Sequence, residues 1–144
     1  MHTIAVLELA DCRRIAEAAE ALAAQHQATV SLAICDGGGH PLLLLRLDGA
    51  SPSSAAVAMA KARMAALNRK PTADQEAAIN GPRPALLQLS GVFHEAAVAM
   101  AGGLPLLHNG HCIGAVGVSG MTPDLDTAIA AEAAAALART SSNR

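Results

Sequence analysis

The chain has 144 residues, a length that suits one domain with one core, and 52% of them are apolar. The formal net charge is −2 with Lys and Arg scattered, and the aromatic content is a single phenylalanine, Phe93, so there is neither a basic stripe for phosphates nor a stacking platform for bases. These features exclude nucleic acid as a partner. The apolar stretches are broken by Glu, Arg or Lys before they reach a membrane span, and Met1-His2-Thr3-Ile4 does not open a signal peptide. Cys12, Cys35 and Cys112 form an odd set without CxxC spacing, as expected of free thiols serving as buried small hydrophobes in a reducing cytoplasm.

In chain order, Ile15, Ala19 and Leu22 recur at helical spacing and predict a helix from about Glu8 to His26. The period then changes, and Val30, Leu32 and Ile34 share one face of a strand. Asp36-Gly37-Gly38-Gly39-His40-Pro41 is a turn, and Leu42 to Leu47 is a second strand, apolar on both faces and therefore expected to be covered on both. The two should pair as an antiparallel hairpin. Ser51-Pro52 starts a helix, with Ser51 able to cap it, and Val57, Ala60, Met64 and Leu67 mark its inward stripe.

Thr72 to Ile79 reads as a short helix, Asn80-Gly81-Pro82 breaks it, and Pro84 to Leu89 reads as another turn of helix, in a region suited to a lid or an oligomer contact. Gly102-Gly103-Leu104-Pro105 leads into a short strand, Leu106 to His108. Asn109-Gly110 is a two-residue hairpin turn, and His111 to Ser119 is the return strand. Thr122-Pro123 starts the last helix, with Asp124 and Asp126 at the favourable end of its dipole and Leu125, Ile129, Ala133 and Leu137 facing in. That helix should end near Arg139, leaving Thr140 to Arg144 as a frayed tail. The order predicts an α+β fold, an antiparallel sheet with helices packed on it, as a single domain over residues 1–144.

Several stretches together resemble the GlcG/HbpS-like family, which includes the C-terminal domain of PduO-type proteins. They are Ala33 to Gly39, Arg46-Leu47-Asp48-Gly49-Ala50, Ala60-Lys61-Ala62, Gly102 to Pro105, and Ile113 to Gly120 followed by Asp126. Each is weak alone; the ordered set is specific and covers nearly the whole chain. The resemblance implies a three-layer αβα sandwich with a central antiparallel, profilin-like sheet. It also implies homo-oligomers, often octamers, and haem or corrinoid binding, with haem degradation in some members. The sequence departs from the family pattern at Met64, where a threonine is usual, and in Gly91-Val92-Phe93-His94-Glu95. No axial haem ligand carries over, because no histidine motif matches.

The residues themselves suggest a site. Arg46 interrupts a leucine run, and a guanidinium on a doubly covered strand needs an anion: it pairs with Asp36 or Asp48, or reaches water at a strand end, or forks a substrate carboxylate or haem propionate. Lys61 lies about 80° from the centre of its helix stripe, where a long side chain snorkels; the resemblance adds a ligand-binding role, and Arg63 lies on the opposite border. Gly102 and Gly103 give up packing and order, and their N–H groups, with that of Leu104 ahead of Pro105, could hold an anion. His94 and Glu95 are a titratable pair leading to that loop, suited to moving a proton. His108 and His111 flank the Asn109-Gly110 turn, but two ligands are too few for a metal centre, and none is expected.

Three readings remain open at this level. The first is a haem- or corrinoid-binding oligomer that degrades its ligand in some family members. The second is a cofactor-independent enzyme for a small carboxylate, with Arg46 and Lys61 holding the anion and His94 or Glu95 as acid/base. The third is an oligomeric interaction protein. Apolar faces on three helices exceed what one small domain can hide, so a homo-oligomer is expected in each.

Overall fold

The computed structural model describes residues 1–141. Four helices, α1 (Leu9–Gln25), α2 (Pro52–Asn68), α3 (Thr72–Ile79) and α4 (Pro123–Ser141), accompany four strands, β1 (Ser31–Asp36), β2 (Pro41–Arg46), β3 (Gly103–His108) and β4 (His111–Ser119). A 3₁₀ segment, Pro84–Val92, follows α3. The strands form one antiparallel sheet in the order β2-β1-β4-β3. Helices α1 and α4 pack on one face and α2 on the other, which makes the three layers. Helix α4 extends past Arg139 to Ser141; the rest of the expected tail, 142–144, lies outside the described residues.

The two faces of the sheet differ in side-chain size. Val30, Leu32, Ile34, Val116 and Val118 point toward Cys12, Ile15 and Ala19 of α1 and Ile129 and Ala133 of α4. Ala33, Cys35 and Ala115 point the other way, toward Ala58, Ala62 and Ala65 of α2. Small residues on both surfaces bring α2 down onto the strands. A Cβ added at Gly117 would collide with the Ala58 carbonyl oxygen and sit 2.6 Å from the Ala62 nitrogen. Glycine at 117 is therefore required by the helix backbone beneath it. Cys12 and Cys35 belong to the core, and burial pushes the Cys35 thiol up to about 12.

Two expectations are corrected. Strand β2 is an edge strand, since only β1 pairs with it, and Leu42 and Leu44 are 36% and 46% exposed. Leu43, Leu45 and Leu47 do pack against the α1/α4 core, so β2 is covered on one face only. Arg46 is consequently exposed, and no ion pair joins it to Asp36 or Asp48 among the described residues. The inward stripe on α2 is also wrong. Every residue from Ala58 to Ala66 is buried while Leu67 is 36% exposed, because the helix is enclosed between the sheet and the segment 93–101. A helix buried nearly all round has no apolar face to read.

Smaller details also differ. Ser51 occupies the N-cap of α2, but its side chain makes no capping bond. Strand β3 begins at Gly103, so Gly103-Leu104-Pro105 belongs to the sheet rather than to a loop. Asn109 and Gly110 have φ of 50° and 78°, the pair of left-handed residues that a type I′ hairpin needs.

Replacing Gly117 by alanine should cost about 3 kcal/mol, at the upper end for overpacking because the obstacle is helix backbone rather than a movable side chain. Urea unfolding of the two proteins, with an unchanged m-value, measures it.

Candidate functional site

Helix α2 carries two buried cations, Lys61 and Arg63, 3% and 8% exposed. Lys61 points toward the far end of β4. Its ammonium donates to the Val118 carbonyl at 2.9 Å and to Asp126 Oδ2 at 3.2 Å. Asp126 lies on α4, and its other oxygen accepts the Met121 N–H at 3.0 Å. This ion pair ties the two helical layers together around the end of the sheet, and Gly102 leaves room for it: a Cβ there would sit 2.9 Å from Lys61 Nζ. Lys61 thus does not snorkel, because its charge is satisfied inside.

The double glycine lies beside Lys61, but at least one of its donors is already used. The Gly103 N–H donates to Thr72 Oγ1 at 2.8 Å, and the neighbouring Ala101 N–H donates to Glu76 Oε2 at 3.1 Å. A Cβ on Gly103 would press within 2.5 Å of the Lys61 carbonyl oxygen. Close approach of α2 and Thr72 accounts for this glycine.

Arg63 points to the opposite end of the sheet, into the β1–β2 turn. There Asp36 Oδ1 accepts the Gly38 and His40 N–H groups at 2.9 and 3.0 Å, and the His40 Nδ1 lies 3.1 Å from it. Burial works against ionising Asp36, but the backbone donors of His40 and Gly38 and the His40 imidazole prevail and hold its carboxyl below the usual range. Gly39, at φ +83°, lets the Arg63 stem pass: a Cβ there would come 2.9 Å from Arg63 Cγ. Arg63 Nε donates to the Gly39 carbonyl at 3.2 Å, and Nη1 donates to the Ala96 carbonyl. A cavity of about 260 Å³ opens beside the guanidinium, lined by His40, Leu67, Val92, Phe93, His94 and Glu95 among others. A second, of about 320 Å³ and mostly apolar, lies among α2, α3 and the 3₁₀ segment, with Met64, Ile79, Leu86, Leu87 and Met100 in its wall.

The family model described as haem degrading protein HbpS-like matches residues 7–135. The chain belongs to the HbpS-like family. It is 37% identical over 119 residues to protein GlcG of Escherichia coli K12, covering 83% of this chain and 85% of that protein. Among solved structures it is similar to the Klebsiella pneumoniae protein ORFY, with a TM-score of 0.87 and 30% identity over 96% of this chain and 94% of that one. It is also similar to PduOC crystallised with heme, with a TM-score of 0.83 and 30% identity over 92% of this chain and 95% of that one. No helix among the described residues is long and apolar enough to cross a membrane.

On this HbpS-like framework the sequence-derived residues fall into separate groups. His94 and Glu95 line the cavity beside Arg63. Lys61, Gly102 and Gly103 meet at the other end of β4, with Leu104 and Pro105 continuing into β3. Arg46 pairs in register with Ser31 at the end of β2 remote from the Gly38–His40 turn. One chain therefore does not bring Arg46 or Lys61 to His94. Sequence reasoning passed over His40 and underrated Arg63. The available signal was the composition of α2, where Lys61 and Arg63 are the only polar residues from Ala55 to Leu67, too few for a solvated face.

Replacing Lys61 by methionine should strand the Asp126 carboxylate in the interior and cost about 3–5 kcal/mol of stability. Adding Asp126→Asn to that variant should recover part of the loss. Chemical denaturation of the single and double variants measures both; an unchanged single variant would remove Lys61 from the framework.

Proposed function

We propose that this chain binds a haem-type tetrapyrrole on the face formed by α2, the β1–β2 turn and the 3₁₀ segment, as a cytoplasmic homo-oligomer. The carrying observation is the composition of one cavity: apolar walls, two imidazoles and a buried arginine whose guanidinium has no counter-ion among the described residues. The residues fit such a ligand. Leu67, Val92 and Phe93 offer apolar contact, His40 and His94 offer nitrogen donors, and Arg63 offers a partner for a carboxylate arm. Bound haem would supply an iron centre with redox and oxygen chemistry. The chain's part is to hold the macrocycle's edge and orient a nitrogen donor. His40 is suited to the donor role because Asp36 holds its ring through Nδ1, and Nε2 has no hydrogen-bond partner among the described residues. His94 and Glu95 form the opposing wall, with Glu95 placed to accept or return a proton. In this reading Lys61 and Gly102 to Pro105 hold the layers together and Arg46 stays outside the site.

The haem-bound relative supports the ligand class. Assembly is supported by the 3₁₀ segment, none of whose residues is buried although it carries Leu86, Leu87, Leu89 and Val92. Leu87 and Val92 are 69% and 71% exposed. Apolar surface of this kind is hidden by another copy or by a ligand.

Added haemin should give a saturable Soret shift. The His40→Ala/His94→Ala pair should lose it, while His26→Ala, at the end of α1, should keep it. Absence of a saturable shift in the unaltered protein would overturn the proposal. A light-scattering mass at micromolar concentration should exceed that of a dimer, and a monomer mass would overturn the assembly.

A further inference from the structure

The two buried cations of α2 are treated differently by the fold. Lys61 has a carboxylate at 3.2 Å. Arg63, in the same helix and nearly as deep, forms no ion pair among the described residues and is held by two carbonyls, those of Gly39 and Ala96. The guanidinium is a permanent cation whose stem is enclosed while its tip opens onto the cavity, with no counter-ion among the described residues. The two carbonyls use Nε and Nη1. Nη2 has no protein acceptor among the described residues, and the side chain lines the 260 Å³ cavity.

We propose that Arg63 anchors a carboxylate-binding site in this cavity, with the imidazole fixed by Asp36 as a second polar contact and Leu67, Val92 and Phe93 taking the organic part of the ligand. Local charge selects a carboxylate over a phosphate. Arg63 is the one cation whose charge is fixed at this cavity, and Glu95 lines the same wall. A monoanion balances a single guanidinium, whereas a dianionic phosphate would carry surplus charge against Glu95 and Asp36. The cavity is smaller than the roughly 300–1,000 Å³ of pockets that enclose drug-sized ligands. It suits a free acid of a few carbons or one carboxylate arm of a larger molecule. Only the second source rests on the tetrapyrrole reading.

The test pairs each carboxylate with a neutral counterpart. Butyrate and butyramide are titrated against the full chain by NMR, following the His40 and His94 ring resonances, and inorganic phosphate is added as a competitor. Haemin and its dimethyl ester are titrated by absorbance. The expected results are that butyrate moves the ring resonances and butyramide does not, that phosphate does not displace butyrate, and that the diester binds about tenfold or more weakly than haemin. Both preferences should vanish in Arg63→Met. Arg63→Lys, which keeps the charge without the fork, should retain only part of them, and this second variant decides the matter if the first does not fold. Butyrate binding without haemin binding would retain this site and overturn the tetrapyrrole reading. Equal binding of acid and neutral partner in both pairs, or displacement of butyrate by phosphate, would overturn the carboxylate site whether or not haemin binds.

Discussion

The distance between α2 and the sheet governs most of what surrounds the site. Ala58 and Ala62 meet Gly117 with no room for a methyl group, and Gly103 meets the Lys61 carbonyl in the same way. Contact this close requires small residues on both surfaces, which is why a chain with one aromatic residue can still fill its interior. It also removes any solvated face from α2. Once the helix lies between the sheet and the segment 93–101, its long polar side chains must find partners inside the protein. Lys61 and Arg63 are buried by that geometry, not by their own chemistry.

Their fates show how magnitudes decide between effects. Burying an ion costs several kcal/mol even after relaxation. Lys61 recovers this from a carboxylate and a carbonyl at 3.2 and 2.9 Å. Arg63 has two carbonyl acceptors, and hydrogen bonds to a charged group contribute about 1.5–3 kcal/mol each. Those two bonds roughly offset the cost, so the fold tolerates the cation without a ligand. They do not neutralise it, and an anion arriving in the cavity meets a donor already oriented, with little further entropy to lose.

Much of the fold was legible because each boundary had a local chemical cause. The turn at Asn109-Gly110, the proline starts at Pro52 and Pro123, and the return strand His111–Ser119 all fall where turn chemistry and pattern place them. Sheet position was not legible. The leucines of β2 suggest a strand covered on both faces, but only pairing order makes it an edge, and pairing order depends on where the helices pack. Arg46 reaches water at the strand end for the same reason, one of the readings its position left open. The guanidinium that the fold does bury is Arg63. Helical periodicity could not locate that residue, because alanines surround α2 on every side and the pattern has no contrast. His40 was hidden by its place in a glycine-rich turn, where Asp36 reads as turn chemistry until the bond to the imidazole is seen.

The 3₁₀ segment borders both cavities. Its flanks are anchored: Arg83 N–H donates to the Ala78 carbonyl, and beyond the segment Val98 N–H donates to the Ala60 carbonyl at 3.2 Å. Between these anchors the chain carries four large apolar side chains yet buries none of its residues. A segment that could collapse onto α2 would fill the cavities with Leu86, Leu87 and Val92, and the apolar area gained would favour it by about 25 cal/mol per Å². Two polar contacts fix the stretch that follows the segment. On one side Arg63 is pinned under the chain by the Ala96 carbonyl, and on the other the Glu76 carboxylate is held to the Ala101 N–H. Moving the segment inward would crowd two charged groups against leucines. The same contacts that keep these polar groups satisfied therefore fix the path of the chain beside the two cavities.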